Sequence, residues 1–364
     1  MQPNKETSED DALEFLSGLS YLIPCVDCNN EEINIDIRKQ LEIENVIERM
    51  GYNIDKLMLE LAHPCANMLK NCIWRSEEKP CSSFFKTVKT TMGYCCAFNY
   101  FGTEEYQKYY DKALFSGGFG VNSGLQVLID VEPDQYTFPV NTTPAVTVLI
   151  NHGLQFAELG SQSYFVPVGS TMAVSVDVNV FRGSGDLKYL KDVTRSCWFR
   201  NEGNLKWTKI YNHLTCFNEC KADYIFEICN CVPFYYALRA MIVYITIGDE
   251  PICSFKDLSC LIYNRSVFNN VLLTSNKEES SYRDKFSPAT QSIAETRFCY
   301  CLPSCDDIQY IRHKDIKVNM KQNTTACDLF VYFNNVSGIL RLRTVHVTWD
   351  TLLGKLIASL VSAV

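Results

Sequence analysis

The cysteines are the residues of this chain whose types and spacing most clearly indicate chemistry, because thiols form disulfides or bind metal ions. The chain has 364 residues and 18 cysteines, and ten of the cysteines lie in one stretch. These ten are Cys197, Cys216, Cys220, Cys229, Cys231, Cys253, Cys260, Cys299, Cys301 and Cys305. Such a number favours disulfides formed in an oxidising compartment over metal ligation.

The spacing inside this stretch indicates how two elements can be joined. Cys216 and Cys220 are four residues apart, which on a helix places both on one face, about 6 Å apart along the axis. Cys299 and Cys301 are two residues apart, which on a strand places both on one face, about 6.6 Å apart. A helix and an antiparallel strand can therefore be bridged twice, by Cys220–Cys299 and Cys216–Cys301.

Three further pairs extend these two bridges into a nested set. Cys197–Cys305 would lie outside them, and Cys229–Cys260 and Cys231–Cys253 inside. Spacing alone does not prove this pairing, because ten cysteines allow on the order of hundreds of connectivities. The nested set is the one that the geometry favours.

The cysteines outside this stretch are less determined. Cys72 and Cys81 flank the polar loop RSEEKP and can close it as a bridged hairpin. Cys95 and Cys96 are neighbours in the chain, so we expect them to point in different directions and to have different partners. The partners of Cys65 and Cys327 stay open.

A metal site is not predicted. Cys25 and Cys28 have zinc-knuckle spacing, but no second pair of matching form follows them, and their partners also stay open. No catalytic residue and no cofactor site can be named either. Nucleophile and metalloprotease motifs do not occur, and the histidines form no catalytic pattern: His63, His152, His213, His313 and His346.

Charge and glycosylation motifs limit the class of partner. The net charge is −8, and no basic stripe is present, which argues against nucleic acid. Four Asn-x-Ser/Thr motifs predict glycosylation, in agreement with an oxidising compartment: Asn141, Asn264, Asn323 and Asn335.

Both ends of the chain suggest missing segments. Residues 1–12 are polar and acidic, unlike a signal peptide. The apolar run Leu352–Val364 is shorter than the roughly 20 residues that span a bilayer. We therefore expect a chain truncated at both ends.

Hydrophobic periodicity predicts helices followed by strands. Residues 13–73 are predicted mostly helical, with one helix carrying Ile54, Leu57, Met58 and Leu61 and a second carrying Met68, Leu69 and Ile73. The glycine-rich residues 116–124 are predicted as a surface loop. A second helix-rich part bears Cys216, and residues 265–297 are predicted as an exposed excursion. The predicted strands are Leu125–Asp130, Ala145–Asn151, Met172–Phe181, Asp307–Arg312, Leu329–Asn334 and Leu340–Trp349.

The third of these strands is the clearest, because valines alternate with polar residues from Val174 to Val180. Alternation of this kind indicates one buried and one exposed face, which favours an antiparallel sheet.

Several short stretches together resemble the degenerin/epithelial sodium channel family, most closely its insect pickpocket branch. The cysteine framework is the specific part of the resemblance. The stretches are Cys72-Ile-Trp, Gly93-Tyr-Cys-Cys-Ala-Phe-Asn, Asn122-Ser-Gly-Leu-Gln, Arg195-Ser-Cys-Trp-Phe, Cys216-x3-Cys220-x8-Cys229-Asn-Cys231, Cys299-Tyr-Cys-Leu-Pro-Ser-Cys305, Leu340-Arg-Leu-Arg and Thr348-Trp-Asp.

The resemblance implies an α+β fold and a channel subunit. The fold would have an antiparallel β palm and β-ball core, a helical finger and a disulfide-braced helical thumb. Trimers with related subunits would conduct Na⁺ across the plasma membrane, amiloride would block them, and most of the chain would be extracellular. The implied divisions are 1–24, an N-terminal segment; 25–115, finger; 116–190, β-ball and palm; 191–305, thumb and knuckle; 306–349, palm return strands; and 350–364, the start of a truncated second membrane helix.

Departures from the family pattern matter for three features. From the family pattern we expect the first membrane helix and the cysteine-bearing strand after it to be missing here, which would leave Cys95 without its family partner. The second membrane helix begins at Trp349 and Asp350, which would couple gating to the membrane, and then stops. Residues 237–250 are longer and more apolar than the usual link.

Two other classes of function remain as alternatives. One is a secreted disulfide-rich binding module without channel activity, and the other is a cytosolic zinc-binding protein. Intact bridges on a non-reducing gel would exclude the second.

Overall fold

A computed structural model describes most of the chain. The described residues are 37–49, 51–135, 145–158, 163–236, 251–274, 297–319, 324–345 and 349–354. They combine one large β-sheet with a separate helix-rich, disulfide-bridged region, which confirms the α+β class.

The helices lie mainly before the first strand and inside the cysteine-rich stretch. They are α1 (Ile37–Arg49), α2 (Ile54–Leu61), α3 (Cys65–Met68), α4 (Glu104–Gln107), α5 (Asp192–Arg195), α6 (His213–Cys229), α7 (Leu258–Tyr263) and α8 (Arg265–Asn269). A further helical run covers residues 349–354.

Helix α6 is the longest of these helices, and both of its ends are capped. The side chain of Asn212 accepts hydrogen bonds from the backbone N–H groups of Leu214 and Thr215 at its start. Asn230 ends it in the left-handed conformation, at φ 53°, and its N–H bonds to the carbonyl of Phe226.

The strands account for most of the remaining regular structure. They are β1 (Leu69–Trp74), β2 (Glu77–Lys79), β3 (Phe85–Thr90), β4 (Gly93–Phe98), β5 (Leu125–Asp130), β6 (Ala145–Leu149), β7 (Ser163–Pro167), β8 (Ser170–Gly183), β9 (Leu272–Thr274), β10 (Phe298–Tyr300), β11 (Asp307–Asn319), β12 (Ala326–Phe333) and β13 (Ile339–Arg343).

The large sheet has the order β11-β8-β12-β5-β1-β2, and β13 also pairs with β8. Four of its pairings are antiparallel, whereas β12 and β13 run parallel to β8. The antiparallel expectation is therefore correct for most of the sheet and wrong for these two strands. Strand β12 pairs with Thr171–Val176 in the first half of β8, and β13, which comes later in the chain, pairs with Asn179–Gly183 in the second half. Both strands therefore run in the same direction as β8.

Strand β8 gives the sheet its buried face. Val174 and Val176 are buried in a core that also contains Val127, Tyr164 and Leu329. The predicted alternation is correct at Val174 and Val176, because the side chains of a strand alternate between its two faces. It is wrong further along, since Val178 and Val180 are only half-buried and the polar Ser175 and Asn179 are buried.

The predicted helix carrying Met68, Leu69 and Ile73 is wrong beyond Met68, because strand β1 begins at Leu69. Asn71 has a φ of 26°, and the register with β5 shifts between Lys70 and Cys72. This bulge adds one residue to the strand. Its buried residues Leu69 and Cys72 therefore stand three apart, which imitates helical spacing.

The predicted strand Leu340–Trp349 is also too long. Strand β13 ends at Arg343, which pairs with Gly183, the last residue of β8. Beyond that point the strand has no partner along β8, and residues 349–354 are helical.

The paired bridges between α6 and β10 generate a stability prediction. We expect Cys216→Ala combined with Cys301→Ala to lower the free energy of unfolding by about 2–3 kcal/mol. This bridge and the neighbouring Cys220–Cys299 close a small ring, and opening that ring raises the conformational entropy of the unfolded chain. Chemical denaturation under non-reducing conditions measures this change.

The matched control is Cys95→Ala, which removes a thiol that is free in the structure. We expect it to change the free energy of unfolding by less than about 1 kcal/mol. A double variant no less stable than this control would contradict the prediction.

Candidate functional site

The candidate functional site is the disulfide-bridged region and its junction with the large sheet. Helix α6 lies against β10, with bridges Cys216–Cys301 and Cys220–Cys299 whose Cα atoms are 5.9 Å and 6.0 Å apart. The spacing of four on the helix and two on the strand brings the four sulfur atoms together in two pairs. The two bridges therefore join α6 and β10 into one rigid unit.

Three more bridges extend this unit in both directions. Cys229–Cys260 ties the end of α6 to α7, and Cys231–Cys253 ties the next turn to the segment before α7. Cys197–Cys305 closes the base of the region, with a Cα separation of 5.1 Å. Among the described residues, the structure thus contains all five bridges of the nested set.

The remaining bridges lie near the first strands. Cys72–Cys81 joins β1 to the segment that follows β2. Cys65–Cys96 joins α3 to β4, a pairing for which the sequence left the partners open. Cys95 and Cys327 are free thiols, and burial raises the pKa of both, with Cys327 reaching about 12. Cys25 and Cys28 lie outside the described residues.

The base of the bridged region is continuous with two strands of the sheet. Strand β11 begins two residues after Cys305, and β8 ends at Gly183 before the chain enters the region. The backbone N–H of Gly183 donates to Asp306 Oδ1 over 3.1 Å, which joins the end of β8 directly to the residue that precedes β11. Any displacement of the base therefore reaches β8 and β11 together.

Aromatic side chains pack around this base. Trp198 contacts the rings of Tyr211 and Tyr300, with centroids 5.0 Å and 5.3 Å away. The N–H of Trp198 donates to Pro303 O over 3.0 Å, and the N–H of Cys305 donates to Trp198 O over 2.7 Å. The hydroxyl of Tyr211 donates to the carbonyl of Leu302.

A buried carboxylate holds the loop before α6. Glu219, on α6, accepts hydrogen bonds from the backbone N–H groups of Lys206 and Trp207, each over 2.7 Å. Trp207 in turn packs on Tyr236 and Phe156, at centroid distances of 5.6 Å and 5.5 Å. Burial raises the pKa of Glu219 to about 7, although the two N–H donors oppose the shift.

A second buried group connects the first helices with the bridged region. The ammonium of Lys89 lies 2.8 Å from Asp55, and the hydroxyl of Tyr94 donates to the same carboxylate over 2.6 Å. Desolvation lowers the pKa of Lys89. The ring of Tyr94 stacks on Phe234 at 6.1 Å, so α2, β4 and the bridged region share one core.

A third cluster surrounds Asp177 on the open face of β8. Its Oδ1 accepts from Asn334 Nδ2 at 3.2 Å and from Asn335 Nδ2 at 3.3 Å. His313 Nδ1 lies 2.8 Å from its Oδ2. Asp177 thereby fixes the turn between β12 and β13 against β8 and β11.

Sequence reasoning missed Glu219, Lys89 and Asp177. Each acts through a partner that is distant in the chain or belongs to the backbone, so no local pattern marks it. The sequence shows Glu219 next to Cys220, but it does not show that this carboxylate accepts hydrogen bonds from the backbone of Lys206 and Trp207.

The predicted membrane-coupling residues follow β13 in the chain. Trp349 and Asp350 are in the helical run 349–354, and Trp349 is 78% exposed. No helix within the described part of the chain is both long and apolar enough to cross a bilayer. The described residues also contain no group of three or more His, Cys, Asp or Glu placed to hold a metal ion.

Two of the four glycosylation motifs are described, and they differ in environment. Asn335 is exposed in the turn after β12, whereas Asn264 is partly buried between α7 and α8. The Nδ2 of Asn264 donates to the carbonyl of Cys260 over 2.9 Å. Asn141 and Asn323 lie outside the described residues.

This difference predicts unequal glycosylation. Both amides donate a hydrogen bond, but Asn335 is exposed whereas Asn264 is partly buried. Glycosylation requires access to Nδ2, so we expect the secreted-pathway protein to carry a glycan at Asn335 and to lack it at Asn264. Asn335→Gln should abolish a glycosidase-sensitive mass that Asn264→Gln leaves in place. Peptide mapping that finds a glycan on Asn264 and none on Asn335 would contradict this expectation.

The raised pKa of Glu219 predicts a pH-dependent stability. The folded protein binds this proton more tightly than the unfolded chain does, so the free energy of unfolding is highest below about pH 4.5 and falls as the pH rises towards 7. The expected decrease is at most about 3 kcal/mol. Denaturant unfolding at a series of pH values measures it.

Glu219→Gln should flatten this dependence, because the amide does not ionise in that range. It should also lower stability at neutral pH by about 1–2 kcal/mol, since only one of the two backbone N–H groups keeps an acceptor. Glu227→Gln, near the other end of the same helix and paired with Arg297, is the control and should retain the slope. Equal slopes in all three proteins would show that Glu219 is not responsible.

The chain is similar to proteins of known class over most of its length. The family described as "Amiloride-sensitive sodium channel" matches residues 3–356. The sodium channel protein Nach of Drosophila ananassae is 24% identical over 304 residues, which cover 82% of this chain and 52% of that protein. Pickpocket protein 28 of Drosophila melanogaster is 20% identical over 332 residues, which cover 79% of this chain and 55% of that protein.

Similarity extends to vertebrate proteins. Human acid-sensing ion channel 2 is 22% identical over 299 residues, covering 81% of this chain and 48% of that protein. The chain spans about half the length of the relatives that it matches. With the five nested bridges and the match over residues 3–356, the chain belongs to the amiloride-sensitive sodium channel family, a family of ion channels and not of enzymes.

Proposed function

We propose that this chain is an ectodomain-bearing subunit of a trimeric, amiloride-sensitive sodium channel that a ligand or a mechanical force opens. Its partners are related subunits, in homo- or heterotrimers, in the plasma membrane. Most of the chain is extracellular, and Na⁺ passes through the assembled pore down its electrochemical gradient without a chemical step. Family membership over residues 3–356 supports this proposal.

The observation that carries the proposal is the continuity between the bridged region and the sheet. Two disulfides fix α6 to β10, and Cys197–Cys305 closes the base where β8 and β11 meet it. A stimulus that displaces α6 therefore moves the base as a unit. Strands β8 and β11 receive that movement through backbone and not through mobile side chains.

Transmission towards the membrane follows the same strand. β13 pairs with Asn179–Gly183 at the end of β8, and the helical run 349–354 comes shortly after it. A shift of β8 thus displaces the segment that leads to Trp349 and Asp350. In this proposal these two residues couple the ectodomain to the second membrane helix.

The proposal assigns a part to each division of the chain. The assignments are an N-terminal segment in 1–24, the finger in 25–115, β-ball and palm strands in 116–190, the thumb and knuckle in 191–305, the returning palm strands in 306–349 and the start of the second membrane helix in 350–364.

Coexpression with related full-length subunits tests the proposal. We expect the chain to copurify with them from surface membranes and to change the amiloride-sensitive sodium current at least severalfold in either direction. Replacing all four bridging cysteines of α6 and β10 by alanine should remove the change in current, since no disulfide then fixes the helix to the strand. Two-electrode recording and surface labelling in the same cells provide both measurements.

Cys327→Ala serves as the control, because it deletes a cysteine that forms no bridge in the structure. It should leave copurification and the change in current intact. Absence of both association and any current change for the unmodified chain would refute the proposal. Secretion of the chain into the medium without association would favour a binding module instead.

A further inference from the structure

One surface of the molecule combines exposed apolar side chains with cations, and the channel role above does not explain it. It lies on residues 184–197, here called the base segment, between the end of β8 and Cys197. A 3₁₀-helix at Gly185–Tyr189 and helix α5 form it. Tyr189 is 89% exposed and Val193 is 71% exposed.

The other face of the base segment is packed, so these two side chains are held outward. Leu187 is buried with Cys197, Phe199 and Cys305, and Leu190 packs against the same cluster. The segment therefore presents one apolar face to the protein and a second one to its surroundings.

A buried arginine makes the segment rigid. Arg195 Nε donates to the carbonyl of Cys197 over 2.8 Å, and its guanidinium pairs with Glu202 and lies 5.1 Å from the centre of the Phe199 ring. The Cys197–Cys305 bridge is adjacent. Tyr189 and Val193 are thus presented by a fixed backbone.

Cations accompany the exposed apolar side chains. Lys188 and Lys191 are exposed in the same segment, and Lys188 Nζ lies 5.6 Å from the Phe199 ring centre. Of the two nearby acids, Asp192 is engaged by Trp198 Nε1 at 3.4 Å and by the N–H of Val193 at 2.9 Å. Asp186, the other acid, is exposed, so two lysines and two aspartates leave residues 184–192 without a net positive charge. The proposed contact with phosphate rests on the positions of Lys188 and Lys191 beside the exposed apolar side chains.

The base segment lies at the end of the sheet from which the chain leads to the helical run 349–354. The N–H of Ser184 donates to Arg343 O over 2.8 Å, and Val345 packs against the cluster around Leu187. Beyond this point the exposed apolar residues include Trp349 and Leu353. Apolar side chains, aromatic rings and cations are thus gathered at one end of the molecule.

Tyrosine and tryptophan beside lysine are the residues that occupy the boundary between water and lipid. Their rings sit at the level of the headgroups, while lysine places its charge among lipid phosphates and its methylene groups along apolar surface. The base segment has this composition and no apolar stretch long enough to span a bilayer. Shallow contact fits it better than insertion.

We propose that the base segment is a lipid-contacting surface, in which Tyr189 and Val193 enter the headgroup layer of the membrane while Lys188 and Lys191 contact lipid phosphate groups. The orientation of the segment rests on the proposed function, which places the run 349–354 at the membrane. The contact would hold the junction of β8 and the bridged region at a fixed height above the bilayer.

Fluorescence quenching tests the apolar part. The full chain is reconstituted into phosphatidylcholine vesicles whose acyl chains are brominated near the headgroup, and the emission of Tyr189→Trp is compared with that of Tyr263→Trp. Tyr263 is 88% exposed on α7, so the two added indoles start from equal exposure. Both signals are measured as the difference from the unsubstituted chain.

We expect brominated lipid to quench the indole added at position 189 at least twofold more than the one added at position 263. Equal quenching at the two positions overturns the proposal. An indole at position 189 that is shielded from both brominated lipid and aqueous iodide also overturns it, because a protein surface then covers the base segment.

Charge-removed variants test the phosphate contact. Lys188→Gln with Lys191→Gln should bind vesicles containing phosphatidylserine several times more weakly than the unsubstituted chain does. The control, Lys70→Gln with Lys317→Gln, removes two exposed lysines elsewhere on the sheet and should bind as the unsubstituted chain does. Equal weakening by both double variants would remove the lysine part of the proposal.

These measurements are independent of ion conduction. If the quenching is position-specific and coexpression changes no current, the lipid contact stands and the channel role fails. If the current changes and the quenching is uniform, the channel role stands and the lipid contact fails.

Discussion

The structure depends on two covalent bonds between one helix and one short strand. Helix α6 carries its cysteines four residues apart and β10 carries its cysteines two residues apart, and these intervals match closely enough for both bridges to form. Strand β10 has only three residues, and it pairs with β9 alone among the described strands. Without the bridges such a strand would hold its place weakly, since short isolated pairs are marginal in water.

Everything that joins the bridged region to the sheet builds on this fixed unit. Leu302, next to Cys301, accepts hydrogen bonds from the Tyr211 hydroxyl, and Trp198 packs on Tyr300. Cys197–Cys305 then closes the region at the point where β8 ends and β11 begins. The base is therefore connected covalently to the bridged helix, as the proposed gating role requires.

Covalent bridges and pH-dependent contacts lie in different parts of the molecule. The bridges fix α6 to β10, whereas noncovalent contacts hold the adjoining loops. Glu219 is such a contact, because its bonds to two backbone N–H groups depend on an ionisation state that changes near neutral pH. Asp177 is another, since it fixes the turn between β12 and β13 through three partners.

Local patterns in the sequence were sufficient for elements with a single regular period. The first two valines of β8 and the cysteines of α6 and β10 lie on the predicted faces, because side chains repeat every two residues in a strand and every three to four in a helix. The pattern misled at β1, where the bulge at Asn71 gave a strand the spacing of a helix. A bulge is set by the partner strand, so its effect on spacing is invisible before the strands are paired.

Composition and local periodicity by themselves indicated helices followed by strands, an oxidising compartment and the spacing that allows the nested bridges, and the α+β fold followed from the resemblance to a channel family. Only the tertiary structure decided which strands run parallel, that Cys65 meets Cys96, and which carboxylates are buried. Those features depend on contacts between residues far apart in the chain, such as Asp177 with Asn335 and Asp55 with Lys89. The two α6–β10 bridges belong to both groups: the sequence provided matching intervals, and packing of the helix against the strand brought the sulfur atoms within bonding distance.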